Sequence, residues 1–136
     1  MRRNAYLLRV VGAVVLFCAL QAGAQTSSSP RPKLPYMTPA QIRKGLPETL
    51  PPERFSYNRY IESGYRVAKR LPEAVAQQPC LCPCQKANHR SLLDCFASEH
   101  AASCDICQRE VHFVAQKAEE GVSPDTVRAS ILRGQF

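Results

Sequence analysis

From residue 57 onward, apolar side chains recur at the three-to-four-residue spacing of amphipathic helices. Residues 57–71 place Tyr60 and Tyr65 close to one face, which predicts a first long helix. Pro72 must interrupt this helix because proline has no backbone N–H to donate. Residues 73–78 are then expected to add one short helical turn.

Two further helices follow the cysteine-rich middle of the chain. Ser91 opens a short one, with Asp94 three residues later in the spacing of a capping box. Ser103 is predicted to cap a longer helix over residues 104–120, because a serine hydroxyl accepts bonds from the first N–H groups. Gly121 should end that helix, since glycine readily takes the left-handed conformation found after many helices.

The last helix is predicted to begin at Ser123, where a serine cap is followed by proline. Val127 and Ile131 form its buried stripe. No segment shows a convincing strand pattern. The predicted fold class is therefore mostly α, a small cysteine-rich domain of about four short helices.

Residues 25–54 differ from the helical part because they hold most of the prolines, with seven of the eleven between residues 25 and 52. Proline removes a backbone donor and restricts its neighbour, so this segment is predicted to be an extended, largely disordered tether. Thr38 and Pro39 can start one short helix that runs to Leu46. The cysteine-rich helical domain is predicted to span residues 55–136.

The first 24 residues have the organisation of a secretory signal peptide. Arg2 and Arg3 precede an uncharged apolar run over residues 10–20, and Ala22-Gly23-Ala24 follows. Signal peptidase prefers this small-x-small pattern, so cleavage is predicted before Gln25. The protein would then be exported to the periplasm or another extracytoplasmic space, with no stable membrane span after cleavage.

Charge and motifs argue against several classes of function. Cleavage would remove three of the 18 basic residues and no acid, which lowers the net charge from +7 to +4. The remaining basic residues are scattered among acids without interleaved aromatics, so nucleic-acid binding is not expected. The chain shows no glycine-rich phosphate loop, no paired carboxylates in an apolar context and no nucleophile elbow, so an enzyme is not favoured.

Six cysteines remain after cleavage, and all lie within 28 residues. A domain of about 80 residues with few large side chains often needs disulfides or a metal ion as cross-links. Disulfides are the default in an oxidising compartment, whereas the spacing of these cysteines favours metal ligation. The six are Cys80, Cys82, Cys84, Cys95, Cys104 and Cys107.

The alternating triplet Cys80, Cys82 and Cys84 is the main argument for a metal. Residues two apart in an extended loop would close a strained ring if they paired as a disulfide. The same loop can fold back so that its sulfurs converge on a soft ion such as Cu(I) or Zn(II). Counting alone still permits three disulfides, because three other cysteines are present to pair with the triplet.

Cys104 and Cys107 stand three residues apart at the start of the longer helix, and both are predicted to face inward. The positive end of the helix dipole is expected to lower the pKa of these thiols and favour the thiolate. We therefore predict a core of four thiolates in which this pair joins Cys82 and Cys84. The other two cysteines, one of them Cys95, would be outer or additional ligands.

The three histidines divide by position. His89 precedes the short helix and His100 lies one turn before Cys104, so both are candidate ligands of the same ion. His112 falls with Gln108 on the polar face of the longer helix and is predicted to be exposed to solvent.

Three functions stay open at this point. The first is an exported domain that binds or handles a soft metal ion, which the alternating triplet favours. The second is a structural or interaction module stapled by disulfides, which the even cysteine count favours. The third is a thiol–disulfide redox protein, which would need one cysteine more exposed than its neighbours. The sequence does not indicate a protein partner.

The runs PCLCPC, SLLDCF and EHAASCDICQRE together resemble the bacterial PCYCGC-motif family, also called the CYCXC family of (seleno)proteins. The resemblance covers residues 66–131 and includes all the cysteines of the exported chain. Members of that family are typically exported or lipid-anchored, and their biochemical role is not established. Some carry selenocysteine at one cysteine position, which implies a soft or reactive centre. This chain departs from the pattern at Leu81 and Pro83, where the family has an aromatic residue and a glycine.

Overall fold

The computed structural model describes residues 33–83 and 88–136. The predicted signal peptide with its cleavage site before Gln25, the first part of the tether and Cys84 all lie outside the described residues. Within those two stretches, no helix has both the length and the apolar character needed to cross a bilayer.

Helices make up the regular structure of both described stretches, and no strand occurs in either. The mostly-α prediction is therefore confirmed. The α-helices are α1 (Pro39–Ile42), α2 (Arg59–Arg70), α3 (Pro72–Ala76), α4 (Leu92–Phe96), α5 (Asp105–Glu119) and α6 (Pro124–Leu132). Within the described residues, 3₁₀ helices also cover Pro52–Phe55 and Glu99–Ser103.

Helix α2 begins two residues later than predicted because Asn58 caps it. The Asn58 side-chain oxygen accepts hydrogen bonds from the N–H groups of Tyr60 and Ile61 at 3.0 and 3.3 Å. Tyr65 and Ala68 form the buried face, each 0% exposed. Tyr60 is 46% exposed, so the predicted apolar stripe is wrong in the first turn of the helix.

Gly64 allows α2 and α5 to approach closely. A Cβ at this position would lie 2.9 Å from the Cδ of Gln108 and closer still to its Oε1, so only a hydrogen atom fits. Gln108 is 2% exposed, and its Nε2 donates to the carbonyl of Ala101 at 2.9 Å. The prediction of a polar, solvent-facing Gln108 is wrong because α2 covers that side of α5.

Three rings, those of Phe55, Tyr65 and Phe96, form an aromatic cluster in the core. The Phe55 and Tyr65 rings stack with centroids 3.9 Å apart, and Tyr65 meets Phe96 edge-on at 5.0 Å. The Tyr65 hydroxyl donates to the carbonyl of Ser98 at 2.7 Å. The cluster thereby ties the first 3₁₀ helix, α2 and α4 together.

Part of the predicted tether is packed against these helices. Met37 is 1% exposed and donates its N–H to the carbonyl of Ala76 at 2.9 Å. Leu50 donates its N–H to the last residue of α4, also at 2.9 Å. The compact unit begins at Lys33 rather than near Phe55. Proline density limits regular structure, but an extended chain can still bury single apolar side chains and use its remaining N–H groups.

The short helix predicted after Thr38 is present as α1. Thr38 donates its N–H to the side-chain oxygen of Gln41 at 2.8 Å and accepts the Gln41 N–H at 3.4 Å, which completes a capping box. The helix ends at Ile42 rather than at the predicted Leu46. The short turn predicted after the first long helix is likewise present as α3.

The caps of the two cysteine-bearing helices differ from the prediction. Asp94 accepts bonds from the N–H and the guanidinium of Arg90 at 2.6 and 2.8 Å, and the Ser91 hydroxyl makes no capping bond. The N-cap of α5 is Cys104, not Ser103. At α4, Asp94 bonds to the charged Arg90 guanidinium, because a charge-assisted hydrogen bond is stronger than the neutral bond of a capping box. At α5, the Ser103 hydroxyl donates to the carbonyl of His100 instead of capping the helix.

The end of α5 and the start of α6 follow the prediction. Gly121 has a φ of 71° and terminates α5. Ser123 accepts the N–H of Thr126 at 3.3 Å and caps α6. Val127 and Ile131 are the buried residues of that helix.

Candidate metal centre

A non-helical loop over residues 79–83 carries cysteines into the core. Leu92 donates its N–H to the carbonyl of Gln78 at 2.9 Å, which joins the residue before the loop to the start of α4. Leu81 donates its N–H to Oε1 of Glu110 at 2.8 Å, which holds the middle of the loop against α5. Prolines at both ends of the loop keep this stretch out of a helix.

Four cysteines from the loop, α4 and α5 converge on one buried point, and we call them the inner group. The Cys80 sulfur lies 3.4 Å from that of Cys82 and 3.5 Å from that of Cys107, and the Cys82 and Cys107 sulfurs are 3.6 Å apart. A tetrahedral site with Zn–S bonds of about 2.3 Å has sulfur–sulfur edges of about 3.8 Å, so these sulfurs are close to ligand spacing. The inner group is Cys80, Cys82, Cys95 and Cys107, all buried, with donor atoms within 4.8 Å of one another.

A second set of four donors overlaps the first, and we call it the outer group. It consists of Cys82, His100, Cys104 and Cys107, with donor atoms again within 4.8 Å of one another. The Nε2 of His100 lies 3.3 Å from the Cys82 sulfur. Cys104 and His100 are only half-buried, since they come from the second 3₁₀ helix and the residue that caps α5.

His89 contacts the inner group but belongs to neither set of four. Its Nδ1 lies 3.3 Å from the Cys95 sulfur. Its ring meets that of His100 edge-on, with centroids 5.3 Å apart. His89 is therefore placed as a neighbour of the donors, where it can orient the Cys95 thiol or thiolate.

Most of the predicted ligands are brought together, although their grouping differs from the prediction. Cys84 lies outside the described residues, so the predicted core of four is not described as a set. Its other members, Cys82, Cys104 and Cys107, do meet in the outer group. Cys80 and Cys95, which we expected to be outer ligands, lie in the buried inner group.

His112 is not exposed to solvent in the way that the helical pattern predicted. Its side chain is half-buried, and its ring lies against that of Tyr60 with centroids 4.6 Å apart. Its Nε2 lies 3.3 Å from the Tyr60 carbonyl and 3.4 Å from the Ser63 hydroxyl. His112 belongs to neither donor group.

The sulfurs of the inner group share their protons unequally. Hydrogen bonds from the thiols of Cys107 and Cys95 hold the pKa of Cys80 well below its ordinary value, although burial acts in the opposite direction. The pKa of Cys107 is raised, first by its hydrogen bond to Cys80, then by that to Cys95 and by burial. The predicted lowering of the Cys107 pKa is therefore wrong, because a thiolate at Cys80 uses Cys107 as its donor.

Glu110 also belongs to the site, although the pattern of cysteines and histidines does not predict it. It is 0% exposed, and burial, followed by the negative charge of Cys80, raises the pKa of its carboxyl to about 10. Its Oε1 accepts the Leu81 N–H, so the side chain supports the loop that carries Cys80 and Cys82. Its position was detectable, because it follows Cys107 by three residues on the buried stripe of α5.

No family model matches this chain, and no curated protein or solved structure matches it. The resemblance to the PCYCGC-motif family stays a prediction. The chemistry of the site follows from its donors: thiol and imidazole groups at this spacing can hold a metal ion.

Proposed function

We propose that this protein is an exported metal-binding protein whose inner group holds a soft ion. The observation that carries the proposal is the convergence of four buried cysteine sulfurs from three separate chain segments. Soft ions form strong bonds with thiolates, and four sulfurs satisfy the usual coordination number of a structural zinc site.

The arrangement of sulfurs favours an ion over simple pairing. Cys80, Cys82 and Cys107 form a nearly equilateral triangle with sides of 3.4, 3.5 and 3.6 Å. A disulfide joins only two sulfurs, at about 2.05 Å, whereas in the reduced protein one ion can contact every sulfur of the triangle. A metal ion uses all three, together with Cys95 as the fourth ligand.

Zn(II) is the ion that the inner group fits best, with Cu(I) second. Four donors at nearly equal spacing suit the tetrahedral preference of Zn(II). A divalent ion also neutralises two of the four buried thiolates, whereas Cu(I) neutralises one, and uncompensated buried charge is costly. Cu(I) remains the second choice because thiolate ligands select it strongly.

The experiment is metal binding by the reduced protein under anaerobic conditions. Zn(II) and Cu(I) are added separately in competition with a chromophoric chelator, and native mass spectrometry counts the bound ions. The parent protein is expected to retain metal, and Cys107→Ser to lose it. His112→Ala is the matched control, because that histidine lies in neither donor group. Equal binding by Cys107→Ser and the parent would refute the proposal.

A disulfide-stapled module is the second candidate, and one observation favours it. The sulfurs of the triangle are in contact, so oxidation can join two of them with little movement of the backbone. Mass distinguishes the two candidates, since a bound ion adds mass and each disulfide removes two hydrogens. Cysteines that resist alkylation until a reductant is added would favour the disulfide module.

Export belongs to the same proposal and rests on the first 24 residues. If the signal peptide is cleaved as proposed, N-terminal sequencing of the exported protein should begin at Gln25 or at its cyclised form. Recovery of the intact N-terminus from the membrane fraction would contradict cleavage, without affecting the metal assignment.

A further inference from the structure

An ion in the inner group needs a route to solvent, because its ligands are buried. Cys80 is 7% exposed, and Cys95 and Cys107 are each 0% exposed. We propose that a single ion enters and leaves through Cys104 and His100, which hold it briefly before it passes inward at Cys107. This inference rests on the proposed function and deepens it by assigning the residues that exchange the ion.

Cys107 connects the outer donors to the inner ones. The donor atoms of His100, Cys104 and Cys107 lie within 4.8 Å of one another, and Cys107 also belongs to the inner group. Two ion positions that each lie about 2.3 Å from the same sulfur can be no more than about 4.6 Å apart. The ion can therefore move between the two positions while it stays bound to Cys107. This transfer uses these three residues alone and does not depend on Cys82.

The outer position is open to small molecules. Cys104 and His100 are half-buried, and Cys104 lines a surface cavity of about 250 Å³ together with Tyr60 and Asp105. Three protein donors leave the fourth tetrahedral position for an outside ligand, as in zinc sites that exchange a ligand. A small chelate with nitrogen or oxygen donors can therefore deliver the ion to Cys104, or remove it there.

The place of Cys104 in the fold allows its sulfur to be tested separately. Cys104 is the N-cap residue of α5, and its side chain makes no capping hydrogen bond. Serine is among the preferred residues at this position, so Cys104→Ser removes the thiolate and keeps a suitable cap for the helix. Circular dichroism of the variant verifies that it is folded.

The test measures affinity and exchange rate separately, on the reduced full chain with Zn(II) and a small chromophoric chelator. Cys104→Ser should bind zinc with nearly parental affinity but release it roughly tenfold more slowly, because exchange then requires local opening of the inner group. Cys95→Ser should instead bind zinc more weakly, because it loses an inner ligand. His112→Ala is the matched control on the same helix, and both of its values should equal those of the parent.

The dependence of the release rate on chelator concentration provides a second readout. In the parent, the rate should rise in proportion to the concentration, because the chelator binds the ion at the outer position before the ion leaves. In Cys104→Ser, the rate should reach a plateau set by local opening of the protein. His100→Ala should slow the release as well.

The outcomes separate this inference from the proposed function. Release from Cys104→Ser that is as fast as from the parent, or faster, would overturn the exchange route and leave the inner site standing. A loss of affinity in Cys104→Ser as large as that in Cys95→Ser would also overturn it, because Cys104 would then be a ligand of the resident ion. A parent that binds no zinc would remove both the proposed function and this inference.

Discussion

Two buried clusters of different chemistry meet at α4. Phe96 belongs to the aromatic cluster, and its neighbour Cys95 belongs to the inner group; both are 0% exposed. The aromatic rings are satisfied by contact with one another, and their one hydroxyl has a carbonyl partner. The inner group instead gathers sulfurs that can hold a metal ion and whose ionised forms repel each other. We therefore propose that the stability of the inner group, the conditional cluster, depends on a bound ion, whereas that of the aromatic cluster does not.

Loss of metal should produce the largest difference between the two clusters. Cys107→Ser removes a sulfur common to both donor groups, so the stabilisation by added metal should vanish. An ion present at 1,000 times its Kd stabilises the folded state by about 4 kcal/mol, which thermal unfolding with and without a chelator will measure. Cys104→Ser is the matched control and should keep a metal-dependent shift through the inner group. A metal-dependent shift of parental size in Cys107→Ser would contradict the conditional role of the sulfurs.

Truncation in the aromatic cluster should act whether or not metal is present. Phe96→Ala removes a fully buried ring that contacts Tyr65, and we expect a loss of about 3–5 kcal/mol in unfolding free energy. Urea denaturation should show a similar loss with and without metal. Tyr57→Ala is the control, because Tyr57 is 74% exposed and meets the cluster only edge-on at Phe55, 6.4 Å away, so it should change stability by about 1 kcal/mol or less. A loss confined to the metal-free protein would show that the clusters are not independent.

The two clusters also differ because an ionisable side chain, that of Glu110, lies next to the conditional cluster. Its pKa is about 10 in the folded protein against an ordinary 4.5, so folding keeps a proton that the unfolded chain releases between those values. The contribution of this carboxyl to the free energy of unfolding therefore decreases as the pH rises from about 4.5 to about 10, and it is least favourable at high pH. Glu110→Gln removes it, so the metal-free, reduced variant should gain stability relative to the parent over that range, by up to about 3 kcal/mol near neutrality.

The measurement is a series of urea denaturations from pH 5 to pH 9, made with reductant and chelator. The glutamine can still accept the Leu81 N–H, so the support of the loop is retained. Glu120→Gln is the control, because that carboxyl is exposed and should leave the difference nearly flat. A difference between Glu110→Gln and the parent that does not change with pH would mean that the buried carboxyl does not titrate as described.

The smallest expected effect comes from the contact between α2 and α5. In an open helix, glycine to alanine stabilises by about 1 kcal/mol, but at Gly64 the new methyl group meets the Gln108 side chain. We therefore expect Gly64→Ala to destabilise the protein by about 1–2 kcal/mol, measured by thermal unfolding. The double variant with Gln108→Ala should recover part of the loss. Stabilisation by Gly64→Ala alone would show that the two helices are not held so close together.

Helix ends were predicted correctly where nearby residues determine them, and burial was predicted wrongly where it depends on distant contacts. The end of α5 at Gly121 and the start of α6 at Ser123 were predicted correctly, because a left-handed glycine and a serine cap act within one turn. The first turn of α2 was predicted as buried and is not, since burial at Tyr60 depends on what packs there. Met37 was assigned to a tether for the same reason: its burial depends on contacts with distant helices.

The amino-acid sequence alone determined the helical class, the positions of several chain breaks and the set of candidate sulfur and imidazole ligands. Only the tertiary structure decided which of those ligands share a centre, because Cys80 and Cys107 meet across 27 residues of chain. It also decided the place of Glu110, whose burial and raised pKa come from the loop and the sulfurs packed against it. Neighbouring residues determine local hydrogen bonds and helical spacing, whereas burial and metal coordination depend on distant segments that folding brings together.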